Sequence, residues 1–496
     1  MAVNQYRYDG TPDPFYGYDN FERVASLPLK TSREISASPV GIGMETLDRD
    51  TFNPEHVYDL LEKTGIKWAR VQTGWLKCEK EEGVYNFEWL DSITDNLLKR
   101  GIQPWFSVSF GNPLYTPNPQ LQEFIRENPG KQIPGHLRGC VGEVPLYHGE
   151  RATEAFLAFA QEIARHFGSR VHHYEIWNEP SGISNFWRFH GLPPYPEVSS
   201  DERVKRCAAD YVELVRRTGN AIRAVLPDAK IISCHTDLDS NYQREAALNG
   251  LNSLIDIASV HMYKNFNQAF DSVRLNVFRN IMHPRELWMG EGGAVSGMES
   301  QHPSFGATEY TQAKSIARRL VTDVGLGCRV SSIYCASDLK AYWHDGSDSL
   351  FGIIHANGGG PKLACSAIRA IATLFEDIEP ADDLALIPVP CHLARNSSVM
   401  ALNAMQTFAF RKKGSPIFAW YVAERETISA EPFLFYAKTA LLPEDGFTDP
   451  VIVDPLRLNV YRVKKHQTSI HSSFMADLVC ADYPLFLTDY KTIFNS

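Results

Sequence analysis

From residue 38 onward the chain repeats one unit, a short β-rich run followed by an amphipathic helical stretch. The candidate strands are "PVGIGME" (39–45), "KWARVQTG" (67–74), "IQPWFSVSFG" (102–111), "VHHYEIWNE" (171–179), "KIISCHTD" (230–237), "IASVHMY" (257–263), "ELWMGEGG" (286–293) and "RVSSIYCASD" (329–338). Between them lie helical stretches such as "NPEHVYDLLEKTG", which opens on an Asn cap and a proline. In another, Val204, Cys207, Ala208, Tyr211, Val212 and Val215 recur at helical spacing. Successive βα units force a parallel sheet with helices outside it. Eight units over roughly 340 residues favour a closed (β/α)8 barrel over an open doubly wound sheet.

The rhythm changes beyond about residue 380. "VMALNAMQTFAFRKK", "PIFAWYVAE", "DPVIVDPLRLNVYRV" and "ADLVCADYPLFLTDY" read as strands punctuated by Pro, Gly, Asp and Asn, with no helix between them. The expected organisation is an amino-terminal segment (1–37) packed on a carboxy-terminal antiparallel β-sandwich (379–496), with the barrel (38–378) between them in sequence. Composition is that of a globular enzyme, 44% hydrophobic and 22% charged, so folding needs no metal or disulfide staple. A formal charge of -10 argues against nucleic acid as a partner, because phosphate binding relies on Lys and Arg.

No apolar run reaches the ~20 residues that span a bilayer. The first twenty residues lack the basic start and apolar core of a signal peptide, and the nine cysteines are odd in number and show no CxxC pair. These features predict a cytoplasmic protein with reduced thiols and no membrane partner. No GxGxxG follows the first strand, and "HANGGGPK" lacks the spacing of a P-loop, so no nucleotide cofactor is expected. His172 and His173 are adjacent on a strand, point to opposite faces, and so do not suggest a metal site.

In barrels the active site forms where the βα loops converge at the carboxyl ends of the strands. Two apolar runs end there on acids: "YEIWNEP" delivers Glu179 after the fourth strand, and "LWMGEGG" delivers Glu291 on the seventh. A convergent carboxyl pair is what glycosidic hydrolysis requires, one acid protonating the leaving oxygen and the other meeting the developing oxocarbenium carbon. A single strand-end Glu is more often a solvated loop residue, so the weight rests on the pair.

"EIWNEP" (175–180), "VHMY" (260–263), "WMGEGG" (288–293) and the opening "GIGMETLDRDTFNPE...GIKWARVQTGW" resemble glycoside hydrolase clan A, and within it the family 39 type best known as β-xylosidases. The resemblance covers residues 38–375. It implies a retaining mechanism with Glu179 as general acid/base, Glu291 as nucleophile and Asn178 as the donor to the sugar 2-hydroxyl. It further implies that Arg70 and Tyr263 stabilise the Glu291 carboxylate, with His261 in the same polar layer. Trp75, Trp187 and Trp343, in loops above the barrel, are candidate sugar-stacking platforms. The expected partner is a carbohydrate, with homo-oligomers frequent in that family. A transglycosidase using the same intermediate and a noncatalytic carbohydrate-binding barrel are the alternatives.

Overall fold

The computed structural model describes residues 13–137, 143–180, 200–236, 240–263, 268–299, 307–343, 345–389, 404–423, 432–440, 447–468 and 474–494. Eight parallel strands close into a barrel: Val40–Gly43, Trp68–Gln72, Gln103–Val108, His173–Ile176, Lys230–Thr236, Ile257–His261, Glu286–Gly292 and Val330–Ile333. Each pairs with the next, and the eighth pairs with the first through Ser331↔Val40. Each falls within one of the eight runs read from the sequence.

The interior is layered by the two-residue period of a strand. Trp68, Trp105 and Trp288 form an aromatic floor with His173, ring centroids 5.1–5.4 Å apart. Burial pushes the His173 ring down to about 4, so it sits there as a neutral aromatic. Two residues further along three of these strands come Arg70, Ser107 and Glu175, all fully buried. The barrel therefore carries an apolar floor beneath a polar layer, and the polar layer faces the carboxyl ends of the strands.

The remaining strands form two antiparallel sheets. One runs Phe21–Ser26, Asn459–Val463, Pro450–Asp454, Leu485–Asp489, Ser415–Val422, Met405–Lys412, Ile378–Pro380. The other runs Ala385–Val389, Phe433–Ala440, Phe474–Cys480, Gln467–Thr468. They meet through Trp420, whose ring lies 6.1 Å from Phe435 and whose indole N–H donates to the Val479 carbonyl at 2.8 Å. Each of the runs at 449–463 and 476–490 holds two strands: in the first they form a hairpin closed by a turn with Leu458 (φ 59°) in the left-handed region, and in the second residues 481–484 carry the chain from the smaller sheet to the larger. The amino-terminal strand Phe21–Ser26 lies at the edge of the larger sheet, Phe21 opposite Val463.

Helix Glu309–Gly325 is buried along its whole length from Tyr310 to Val324, although its sequence carries charges on several sides. Each charge meets a partner. The Lys314 ammonium donates to Asp482 at 2.7 Å, Arg318 donates to the Asp482 carbonyl, Arg319 pairs with Asp271, and Asp323 accepts from Ser331 at 2.7 Å. Through Asp482 and the 2.7 Å contact between Thr322 and the Tyr421 hydroxyl, this barrel helix is tied to the β-sheets. Among the described residues no helix is long and apolar enough to cross a membrane.

The Lys314–Asp482 pair is buried, with side chains 2% and 3% exposed. Removing one partner from such a pair leaves an uncompensated charge, so Asp482→Ala is expected to lose about 3–5 kcal/mol of unfolding free energy in urea titrations. Lys314→Met added to Asp482→Ala restores part of that loss.

Candidate active site

Arg70 sits in the middle of the second barrel strand, fully buried, and its guanidinium spends every nitrogen on the site. Nε and Nη2 grip Glu175 in a bidentate fork at 3.1 and 2.6 Å. Nη2 also donates to the Asn178 side-chain oxygen at 2.9 Å, and Nη1 donates to Glu291 at 2.8 Å and to Glu45 at 3.3 Å. A planar guanidinium suits this task because its five N–H groups leave in fixed directions. Burial works against the Glu175 carboxylate, but Arg70 outweighs it and holds that group below its ordinary range. With its oxygen on Arg70, the Asn178 amide turns its NH2 away from the guanidinium as a donor.

Glu291, in the seventh strand, has both carboxylate oxygens engaged: Oε2 by Arg70, Oε1 by the Tyr263 hydroxyl. Burial and the adjacent Glu291 charge push the Tyr263 phenol well above its ordinary value, which keeps it a donor. Glu179 follows the fourth strand in a turn where Trp177 (φ 64°) and Glu179 (φ 48°) both adopt left-handed backbone. For residues other than glycine this costs about 1–3 kcal/mol each, and it swings Glu179 over the barrel mouth.

His261 stands between the two acids, with Nδ1 3.1 Å from Glu179 Oε1 and 3.4 Å from Glu291 Oε2. Burial disfavours its charged ring, but Cys234 and the two carboxyls outweigh that and hold it well above its ordinary value. One carboxylate oxygen of Glu179 and one of Glu291 lie within 4.8 Å of each other and of His261. Gly290 makes this seat possible: a Cβ there would come within 2.0 Å of Ser259 Oγ and 3.3 Å of His261 Nε2.

Arg70, Asn178, Glu179, His261, Tyr263 and Glu291, singled out from the sequence, thus converge at one end of the barrel. Trp343, half-buried, packs with Tyr342 on the aromatic cluster of Tyr334 and Phe351 that also backs Tyr263. Trp75 is a correction: it is fully buried, stacked on Tyr115 at 5.2 Å and flanked by Phe156 and Phe159. Its indole N–H, bonded to Glu79 at 2.5 Å, is satisfied inside the protein, so the ring is packing and offers no face to a sugar. Trp187 lies outside the described residues.

Sequence reasoning missed Glu45, Glu175 and Cys234. Glu175 lay inside the quoted "YEIWNEP", two positions past His173 on the inward face, and that period was the available signal. Among the described residues two donor sets, Glu175/Cys234/His261 and Glu179/His261/Glu291, are close enough to share an ion. The carboxyls in them are already engaged by Arg70, Tyr263 and His261, an arrangement that fixes orientation and charge.

Two family models match parts of the barrel: cellulase (glycosyl hydrolase family 5) over residues 136–301, which include Glu179 and Glu291, and β-galactosidase over residues 47–117, which include Arg70. Among solved structures, the fold matches a glycoside hydrolase family 30 subfamily 8 xylanase from Clostridium acetobutylicum over 95% of this chain and 99% of that one, at TM-score 0.52 and 11% identity. A β-galactosidase from Rahnella sp. R3 matches over 71% and 57% of the two chains (TM-score 0.49, 12% identity). An exo-β-1,4-mannosidase from Opitutaceae bacterium strain TAV5 matches over 71% and 62% (TM-score 0.46, 17% identity). The chain spans 57–59% of the length of three β-galactosidase structures that it matches. The segments that carry Arg70, Glu179 and Glu291 are thus similar to glycoside hydrolase families, and the fold as a whole is similar to that of the family 30 xylanase.

Glu45 is 2% exposed and follows the first strand, and burial pushes its carboxyl up from 4.5 to about 8 against the pull of Arg70, with Glu291 adding to the rise. A folded-state value raised in this way stabilises the fold fully below 4.5, where the unfolded carboxyl is also protonated. That stabilisation is lost as pH rises toward 8. Glu45→Gln removes this dependence, so the melting temperature of the variant relative to the parent is expected to climb between pH 5 and 8 in a series of thermal scans.

Proposed function

We propose that the protein is a retaining glycoside hydrolase that cleaves β-glycosidic bonds of small glycosides or oligosaccharides by double displacement. The observation that carries the reading is the separation and asymmetry of two carboxyls. Retaining enzymes hold their acids about 5–5.5 Å apart, and here the nearest oxygens are within 4.8 Å. Glu291 is gripped by a guanidinium and a phenol, partners that favour a carboxylate nucleophile. Glu179 faces the same space with a side chain 20% exposed, within reach of a leaving group and then of water.

In the first step a Glu291 oxygen attacks the anomeric carbon while the bond to the leaving oxygen breaks, and that oxygen takes the proton of Glu179. The product is a glycosyl ester on Glu291. In the second, Glu179, now a carboxylate, takes a proton from water as its oxygen attacks the same carbon and the ester bond breaks. Two inversions leave the anomeric configuration unchanged. The Asn178 NH2, set by Arg70, is the donor for the sugar 2-hydroxyl. The finer reading is a family 39-type β-xylosidase, supported by the order of a barrel followed by antiparallel sheets and by the Asn178–Glu179 pair.

A panel of nitrophenyl β-glycosides, with the first-formed anomer read by NMR, tests the activity. No turnover of any sugar, or an inverted product, would overturn it. Glu179→Gln is expected to slow hydrolysis of glycosides with poor leaving groups by roughly 10²–10⁴ and to spare activated aryl glycosides. Glu291→Ala should be inactive, and azide should restore turnover with the inverted glycosyl azide as product. A retained azide would remove Glu291 from the nucleophile's role.

A further inference from the structure

The mechanism above uses Glu179 but leaves open what holds it. Its backbone is left-handed, a conformation that persists only where neighbours restrain it. Its carboxyl meets His261, whose ring could rotate unless its far nitrogen is fixed. Both restraints lead to one atom. Cys234 Sγ, on the fifth barrel strand, accepts the backbone N–H of Glu179 at 3.2 Å and lies 3.4 Å from His261 Nε2. His261 Nδ1 in turn lies 3.1 Å from Glu179 Oε1.

We propose that Cys234 is a positioning residue for the acid/base, a single sulfur that anchors the main chain of Glu179 directly and its carboxyl through the imidazole of His261. The inference rests on the hydrolase reading above. Cys234 is fully buried, and burial pushes its thiol up to about 11, so it acts as a neutral acceptor and takes no part as a nucleophile. Its own position is fixed: its backbone N–H donates to the Tyr211 hydroxyl at 2.8 Å, and that hydroxyl donates to the Ile176 carbonyl at 2.9 Å. Tyr211, on helix Ser200–Val225, thereby pins the fifth strand to the end of the fourth, just before the turn that carries Glu179.

Sulfur suits this place. Its large radius and long bond to carbon let one atom touch two N–H donors arriving from different strands, where a serine oxygen would fall short of at least one. An alanine would touch neither. A cysteine that only filled space would affect every substrate alike, whereas one that positions a general acid matters most where the leaving group needs a proton.

Cys234→Ala and Cys234→Ser, made in the full chain, are assayed on aryl β-glycosides of the sugar the parent hydrolyses. For Cys234→Ala, kcat/KM is expected to fall about tenfold or more on the phenyl glycoside and less than about threefold on the dinitrophenyl glycoside. Cys234→Ser should lie between the parent and the alanine variant, and it carries the test if the alanine variant does not fold. Equal losses on the two leaving groups, or no loss on either, overturn the proposal. If the parent hydrolyses no glycoside, the hydrolase reading fails, and the contact is still read by 15N NMR of the imidazoles. The His261 titration midpoint should fall by at least ~0.5 in Cys234→Ala, and an unmoved midpoint overturns the positioning role.

Discussion

One buried guanidinium organises the catalytic end of this barrel. Among the described residues Arg70 alone touches Glu45, Glu175, Asn178 and Glu291 together, and the buried Glu175 carboxylate would be untenable without a nearby cation. Its fork on Glu175 does not itself act on a substrate. It fixes the plane from which the other N–H groups leave, and so the aim of Glu291 and Asn178. His261 plays the corresponding part for the opposite acid, fixed from behind by sulfur and facing both carboxyls.

The site depends on the barrel's layering. Tryptophans fill the floor at positions whose neighbours two residues onward are Arg70 and Ser107, and His173 stands likewise below Glu175. The aromatic layer excludes water from beneath, which strengthens every ion pair above it. It also supplies a direct contact, since the indole of Trp105 donates to Glu175 at 3.2 Å. Small residues do the rest: Gly43 and Gly290 leave the space taken up by Glu45 and His261, and a Cβ at Gly43 would come within 2.0 Å of Glu45 Oε2.

Much of this was legible in the sequence, for a physical reason. Parallel strands buried on both faces must be apolar, so a charged or amide residue at the end of such a run stands out, and Asn178, Glu179 and Glu291 did. Residues inside the barrel were harder to read. Glu175 looks like a surface alternation until its partner Arg70 is known to lie on the same inward face. Cys234 carries no charge to betray it, and Glu45 lies beyond a strand only four residues long. Trp75 misled because an indole above a barrel suits a sugar as well as it suits a core, and only the arrival of Tyr115, Phe156 and Phe159 decides between them. Helix Glu309–Gly325 shows the same limit from the other side: its charges suggest solvent, yet Lys314, Arg318, Arg319 and Asp323 are all buried, the first three against Asp482 and Asp271 from distant segments.

The strand Phe21–Ser26 joins a sheet whose adjoining strand, Asn459–Val463, is made near the opposite end of the chain; Arg23 and Asn459, bonded at 2.8 Å, are 436 positions apart. During translation the amino-terminal strand therefore leaves the ribosome long before its partner exists. The barrel's local βα units can assemble in that interval, while this strand waits with its backbone donors and acceptors unpaired, the charged and exposed Glu22 and Arg23 guarding it from premature association.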